Sequence, residues 1–298
     1  MRYLSSLLVF SLIAACTAQK KVVLTNDDGW ATAQIRAEYT ALQAAGFNVI
    51  LSAPAENKSG TGSSTTTPTT LTSACEFNTC PSGSPATGAN ATDPRVNYVN
   101  AFPVDAVRFG IQTLAPKFFG TKPDFVISGS NIGTNLGSIG GSGTVGAASE
   151  AALEGIPSIA FSGSSGSQVS YTTLTDTTTT STKAANIYTS LILKFTAQLL
   201  NNTGPILPAG ISLNVNFASI SSCTSASSYK FVLTRLTSSS SATDVTTCGT
   251  NKLTAESTAI TKGCIATVSV FNASTKADVN AATQSVVLNK LQPILGCL

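Results

Sequence analysis

Lys21-Val22-Val23-Leu24-Thr25-Asn26-Asp27-Asp28-Gly29-Trp30 joins an apolar run directly to two adjacent carboxylates. The run Lys21–Thr25 is β-branched and apolar without alternation, which predicts a short strand buried on both faces. It breaks off at Asn26-Asp27-Asp28-Gly29. Two neighbouring carboxylates repel unless a positive group stands between them. A hard divalent cation, Mg²⁺, Mn²⁺ or Ca²⁺, is the simple solution, because such ions prefer oxygen ligands. The carboxyl ends of strands are also where open α/β sheets bind ligands. The competing reading is a solvated Asp-Asp-Gly turn.

The chain has 298 residues, of which 10% are charged and 42% hydrophobic, and a net charge of +3. That charge is too weak to argue for a nucleic-acid duplex as partner. There is no histidine. Mechanisms built on Ser-His or Cys-His pairs or on phosphohistidine are excluded, as is His-ligated zinc. Acid–base chemistry is left to carboxylates, Lys, Tyr or metal-bound water.

Arg2 precedes an apolar run over 4–15 that reaches Cys16-Thr17-Ala18. This pattern predicts a signal peptide over 1–18, cut after Ala18, and a secreted protein with no membrane span. A lipoprotein signal with Cys16 lipidated is the alternative. Removing 1–18 leaves six cysteines, at 75, 80, 223, 248, 264 and 297. An even number in an exported chain suggests disulfides, and the close Cys75/Cys80 pair could bridge locally. Sequons at Asn57, Asn90, Asn201 and Asn272 are compatible with glycosylation.

Residues 31–45 have helical composition and end at Gly46, and 47–52 read as a second strand. Strand, helix and strand within this length form a βαβ unit. The loop Asn57-Lys58-Ser59-Gly60 then stands at the end of strand two, where Ser59 could offer a hydroxyl to a metal. Residues 61–93 are rich in Thr, Ser, Gly and Pro and read as an excursion, not a domain. Residues 96–99 resume strand character, and Pro103 opens a helix whose first turn holds Asp105.

A further buried strand over 123–128 runs into the glycine-dense 129–137. Ser142-Gly143-Thr144 then begins an Ala-rich helix. A helix N-terminus with free N–H groups and two hydroxyls is a good phosphate seat. It is not a Walker A loop, since no Gly-Lys-Ser/Thr follows. A plain strand-to-helix turn is the alternative. Residues 157–162 form another strand, 163–182 a mobile Ser/Thr/Gly loop or flap, and 183–200 an amphipathic helix. Residues 206–298 read as a mostly β extension with a closing helix, within the same domain as the α/β core over 19–205.

Three segments together resemble the SurE family of survival-protein-type phosphatases and nucleotidases. They are Leu24 to Gly29, then Lys58-Ser59-Gly60, then Ser128-Gly129-Ser130-Asn131-Ile132-Gly133-Thr134-Asn135-Leu136-Gly137 with Ser142-Gly143-Thr144-Val145. The resemblance covers about residues 21–162 and includes Pro103-Val104-Asp105. It implies an α/β fold with a Rossmann-like three-layer core and a mainly parallel sheet. It also implies a β-rich C-terminal extension used in oligomerisation, compatible with a homodimer. The implied activity is metal-dependent hydrolysis of phosphate monoesters, often nucleoside monophosphates. The implied ligands of one divalent metal are Asp27, Asp28, Ser59 and Asn131, with Asp27 and Asp28 catalytic. Asn135, Ser142, Gly143 and Thr144 fall where the family binds phosphate. The chain departs from the family in Gly141, which stands for the usual Tyr, in Ala101-Phe102 before Pro103, and in the long disulfide-bearing loop after Gly60. Exported members with added cysteines look like fungal secreted forms.

The rival from another class is a non-catalytic secreted protein that binds nucleotides or glycans on the same fold. A nicotinamide dehydrogenase is weak, because no G-x-G-x-x-G follows the first strand.

Overall fold

A computed structural model describes residues 19–201 and 204–298. The expected signal peptide, with Cys16, lies outside the described residues. Lys21–Thr25 (β1) leads through Ala33–Ala44 (α1) to Asn48–Pro54 (β2). The excursion holds Thr87–Ala89 (β3) ahead of Val96–Val99 (β4). Pro103–Phe109 (α2) and Ala115–Phe119 (α3), joined by a wide helical turn over 110–114, precede Phe125–Ile132 (β5). Gly143–Leu153 (α4), Ser158–Gly163 (β6) and Thr180–Leu200 (α5) follow. Ile211–Phe217 (β7), Lys230–Thr234 (β8), Glu256–Ala259 (α6), Ile265–Asn272 (β9) and Ala281–Leu291 (α7) complete the chain.

All nine strands form one sheet in the order β3-β4-β2-β1-β5-β6-β7-β9-β8. From β4 to β7 every neighbour is parallel; β3 and β9 pair antiparallel with β4 and β7. The fold is α/β and Rossmann-like. The chain winds outward from β1 to β2 and β4, then returns to β5 and continues the other way. The strand order therefore reverses between β1 and β5. Such a switch point leaves a crevice beyond the carboxyl ends of the two strands. Asp27 and Asp28 follow β1, and Asn131 lies at the end of β5, so the topology alone brings them to one crevice.

Alternation along the strands builds the two core layers. Val22 and Leu24 of β1 join Ile35 and Leu42 of α1 and Phe195 of α5. Val23, between them, faces the other way, onto Val107 of α2 and Ala147 of α4. Both layers are built of aliphatic and aromatic contacts, so β1 is covered on both faces, as its unbroken apolar run requires.

The structure differs from the sequence reading in three places. First, the glycine-dense segment is not all loop: β5 continues to Ile132, with an irregularity in pairing between Ser128 and Asn131. A Cβ at Gly129 would lie 2.1 Å from the Phe161 carbonyl oxygen, and its φ is +116°, so only glycine fits this turn of the strand. Second, the segment 163–182 is tied down near its middle. Ala33 N–H donates to Val169 O (3.0 Å) and Tyr171 N–H to Ala31 O (2.9 Å), which pins the segment to the start of α1. Third, β7 is buried on both faces, yet Ser212, Asn214 and Asn216 alternate with Leu213, Val215 and Phe217. One face of this strand is a buried polar row, which must find partners.

Disulfides join Cys75–Cys80, Cys223–Cys264 and Cys248–Cys297. Among the described residues no helix is long and apolar enough to cross a membrane.

Candidate active site

The turn after β1 is closed by Asn26. Its side-chain oxygen accepts from Gly29 N–H (3.1 Å), and its amide donates to Gly29 O (2.9 Å). Gly29 has φ +115°, a conformation open to glycine. The turn holds both carboxyl groups inside the protein, each 2% exposed.

Asp27 is gripped by the first turn of α4. Its Oδ1 accepts from the Thr144 hydroxyl (2.7 Å) and its Oδ2 from Thr144 N–H (3.0 Å). Asp28 Oδ2 accepts from Ile132 N–H (2.9 Å). Asn131 donates from Nδ2 to Gly133 O (2.6 Å), and its side-chain oxygen is buried with no partner. A buried amide oxygen without a donor is costly, and a cation would satisfy it. Lys58 N–H donates to Asp27 O (2.7 Å), which brings the exposed Ser59 to the rim. A cleft of about 310 Å³ is lined by Asp27, Ser59, Asn131, Asn135 and Ser142. Asp28, Gly143 and Thr144 do not line it.

Ser142 is the N-cap of α4: its hydroxyl oxygen accepts from Val145 N–H (3.1 Å). Of the first three N–H groups of this helix, Gly143 and Thr144 serve Asp27 and Val145 serves Ser142. The Ser142 hydroxyl still has its proton to donate. Thr144, read from the sequence as a phosphate donor, is wholly buried with both donors spent on Asp27. A Cβ at Gly143 would sit 2.8 Å from Asp27 Cβ, so the helix start must be glycine for Asp27 to fit beneath it.

Asn135 is held by the polar row of β7. Its N–H donates to Asn216 Oδ1 (2.8 Å), and its carbonyl accepts from Asn214 (2.8 Å) and Asn216 (2.9 Å). Its side-chain amide gives one hydrogen to Ser162 Oγ (2.9 Å) and keeps the other. Glu256 backs this loop, accepting from Gly137 N–H (2.8 Å) and from Asn214.

The electrostatics are one-sided. Burial raises Asp27, against the hydrogen bonds from Thr144. Asp28 is pushed well above the usual carboxylate range by burial, then by the Asp27 charge, with Glu76 and Glu38 adding to it. Burial also lifts Glu38 and Glu76 to about 7. Among the described residues no Lys or Arg forms an ion pair with any of these four. Such a cluster must take up protons or a cation. Among the described residues no group of three or more His, Cys, Asp or Glu stands ready to hold a metal. The candidate set is mixed instead: two carboxylates, an unpartnered amide oxygen and a hydroxyl. All are hard oxygen donors, which suits Mg²⁺, Mn²⁺ or Ca²⁺.

Sequence reasoning missed Glu38, Glu76 and Gln168. Glu38 carried a signal: it occupies a buried position of α1 beside Ile35, Tyr39 and Leu42, where an apolar residue belongs. It accepts from Ser130 N–H (2.7 Å) and Oγ (2.6 Å), just before Asn131. Glu76 and Gln168 sit in loops of low complexity and carried none. Removing the Thr144 hydroxyl tests the grip on Asp27. Thr144→Val is expected to weaken metal affinity roughly 10- to 100-fold, as loss of a ligand-orienting group does. Thr144→Ser should restore it, and calorimetric titration with Mn²⁺ measures both.

The family model for survival protein SurE matches residues 22–243. An acid phosphatase of Yarrowia lipolytica is 36% identical over 203 residues, which cover 65% of this chain and 56% of that protein. A 5'-nucleotidase SurE of Desulfovibrio desulfuricans is 40% identical over 134 residues, 45% of this chain and 46% of that one. The chain thus spans about half the length of the curated relatives it matches. The crystal structure of the SurE protein from Aquifex aeolicus superposes with a TM-score of 0.59 at 23% identity, over 91% of this chain and 99% of that one. That likeness shows the fold. With the family model covering the core, the switch-point crevice and β7, the chain belongs to the SurE family.

Proposed function

We propose that this chain is a secreted, metal-dependent phosphomonoester hydrolase of acid-phosphatase or nucleotidase type, acting on small phosphorylated molecules such as nucleoside monophosphates. The observation that carries the reading is the unpartnered Asn131 oxygen beside two buried carboxylates with which, among the described residues, no Lys or Arg forms an ion pair. Family membership and the names of the relatives support it. The three disulfides support an oxidising compartment.

Asp27, Asp28, Ser59 and Asn131 would hold one divalent ion. When bound, the ion would polarise a phosphoryl oxygen and acidify water. Both oxygens of Asp27 already accept hydrogen bonds, so Asp27 acts as a fixed ligand. Asp28 accepts on Oδ2 alone. It is the carboxylate with capacity to orient water or take its proton. The Ser142 hydroxyl and the second Asn135 amide hydrogen would bind the phosphoryl oxygens at the positive end of α4.

The test is p-nitrophenyl phosphate hydrolysis by the purified protein with Mg²⁺, Mn²⁺ or Ca²⁺ and with EDTA. Turnover is expected with a divalent ion and is abolished by chelation. A folded protein that binds the ion yet releases no phosphate from this ester or from a nucleotide panel would return the binding-protein reading.

A further inference from the structure

The loop closed by Cys75–Cys80 belongs to the excursion in which this chain departs from the family pattern, and it lies against the acidic turn. Glu76 Oε1 accepts from Ala31 N–H (2.7 Å), and its carboxyl group covers Gly29 so closely that a Cβ there would be 2.4 Å away. Thr79 Oγ accepts from the Trp30 indole N–H (3.1 Å). The same hydroxyl donates to Glu76 O (2.8 Å), which couples the two contacts. Gln168 completes the arrangement. Its amide reaches both Glu76 Oε2 (3.2 Å) and the Asp28 carbonyl (2.6 Å). Every residue from Asp28 to Ala31 is thus touched by this ring or by the side chain that bridges to it.

The ring holds a backbone that an open chain would avoid. Phe77 and Asn78, consecutive and not glycine, have φ of 53° and 57°. Residues in this region persist where their surroundings over-determine them. Here the disulfide closes the loop, and Cys75 N–H donates to Cys80 O (2.9 Å) across it. Glu76 N–H is anchored in turn to Ala55 O (3.1 Å), just beyond β2.

We propose that Glu76 is a positioning residue for the candidate cation site: held by the Cys75–Cys80 ring, it fixes the backbone from Asp28 to Ala31 and so aims Asp28. Glu76 is not itself a ligand in this assignment; it acts through Asp28. The proposal rests on the cation reading above for its consequence, but the clamp itself is separately measurable. Trp30 is the sole tryptophan of the chain and is 3% exposed, so its fluorescence reports on this turn.

The experiment compares Glu76→Ala, Glu76→Gln, the double variant Cys75→Ser/Cys80→Ser and a remote control, Cys248→Ser/Cys297→Ser. Each is read by acrylamide quenching of Trp30 and by calorimetric titration with Mn²⁺. Glu76→Ala and the opened Cys75/Cys80 ring are expected to raise quenching and weaken Mn²⁺ affinity roughly 10- to 100-fold. Glu76→Gln keeps an oxygen for Ala31 N–H and is expected to restore both. The remote control should move neither. Wild-type quenching and affinity in Glu76→Ala and in the opened ring would overturn the proposal, and so would an equal change in the remote control. If wild type binds no Mn²⁺ while the two variants still expose Trp30, the cation reading fails and the clamp stands.

Discussion

Asp28→Asn is expected to lower phosphate release on the order of 10²- to 10³-fold while leaving the cation-free protein at least as stable as wild type. The two halves of this result come from different physics. A carboxylate that ligates the ion and handles water contributes several kcal/mol to the transition state, and each 1.4 kcal/mol is about tenfold in rate. Without the ion the same charge is a liability. Asp28 is buried beside Asp27, with Glu38 and Glu76 near, and among the described residues no Lys or Arg pairs with them. Asparagine keeps an oxygen for Ile132 N–H and removes the repulsion. The pair of measurements is p-nitrophenyl phosphate turnover with saturating Mn²⁺ and the melting temperature in EDTA. Loss of activity with a stable fold places Asp28 in the chemistry. Loss accompanied by a lower melting temperature would make it a structural residue instead.

The second large effect is a stability that declines as pH rises. Glu256 is wholly buried beneath the loop that carries Asn135, and burial pushes it to about 8 from an ordinary 4.5. Glu38, also wholly buried, is pushed to about 7. Between pH 4.5 and these values the native state keeps protons that the unfolded chain has released. Stability therefore falls through that window as pH rises, and levels off above it. For Glu256 the difference is on the order of 5 kcal/mol, taking about 1.4 kcal/mol per unit. Calorimetric melting in EDTA at fixed ionic strength should show a steady drop from about pH 5 to about pH 8. Glu256→Gln should flatten the upper part of that curve, because a neutral amide has no proton to lose. A wild-type melting temperature that rises over the same range would contradict the assignment.

The acidic turn was legible because its signal is local. A short, β-branched apolar run with no alternation, cut off by turn-forming residues, favours a strand covered on both faces, and Lys21–Thr25 is β1. The strand at Val96–Val99 matches its reading to the residue for a related reason: it is a short buried run bounded by turn-forming sequence. The glycine-dense segment misled, because glycine permits both a loop and a close approach of strands, and the close approach of Gly129 to Phe161 decided for a strand. Thr144 was ambiguous for a different reason. A hydroxyl at a helix start can cap, bind an anion or hold a neighbouring carboxylate, and all three look alike in sequence.

By itself, then, the amino-acid order determined the periodicities: which runs are strands, which are helices, and that two carboxylates follow the first strand without a local cation. Those properties depend on neighbours a few positions away. The partners of the carboxylates do not. Asp27 meets Thr144 across 117 positions, Asp28 meets Ile132 across 104, and Gln168 reaches Asp28 across 140. Glu76 reaches Ala31 from a loop closed by a disulfide. Only the reversal of strand order between β1 and β5 brings these segments together. In so Ser/Thr-rich a chain many hydroxyls and amides could have served, and hydrogen-bond geometry in the folded state selects among them, because each requires a donor and acceptor within about 3 Å and in line.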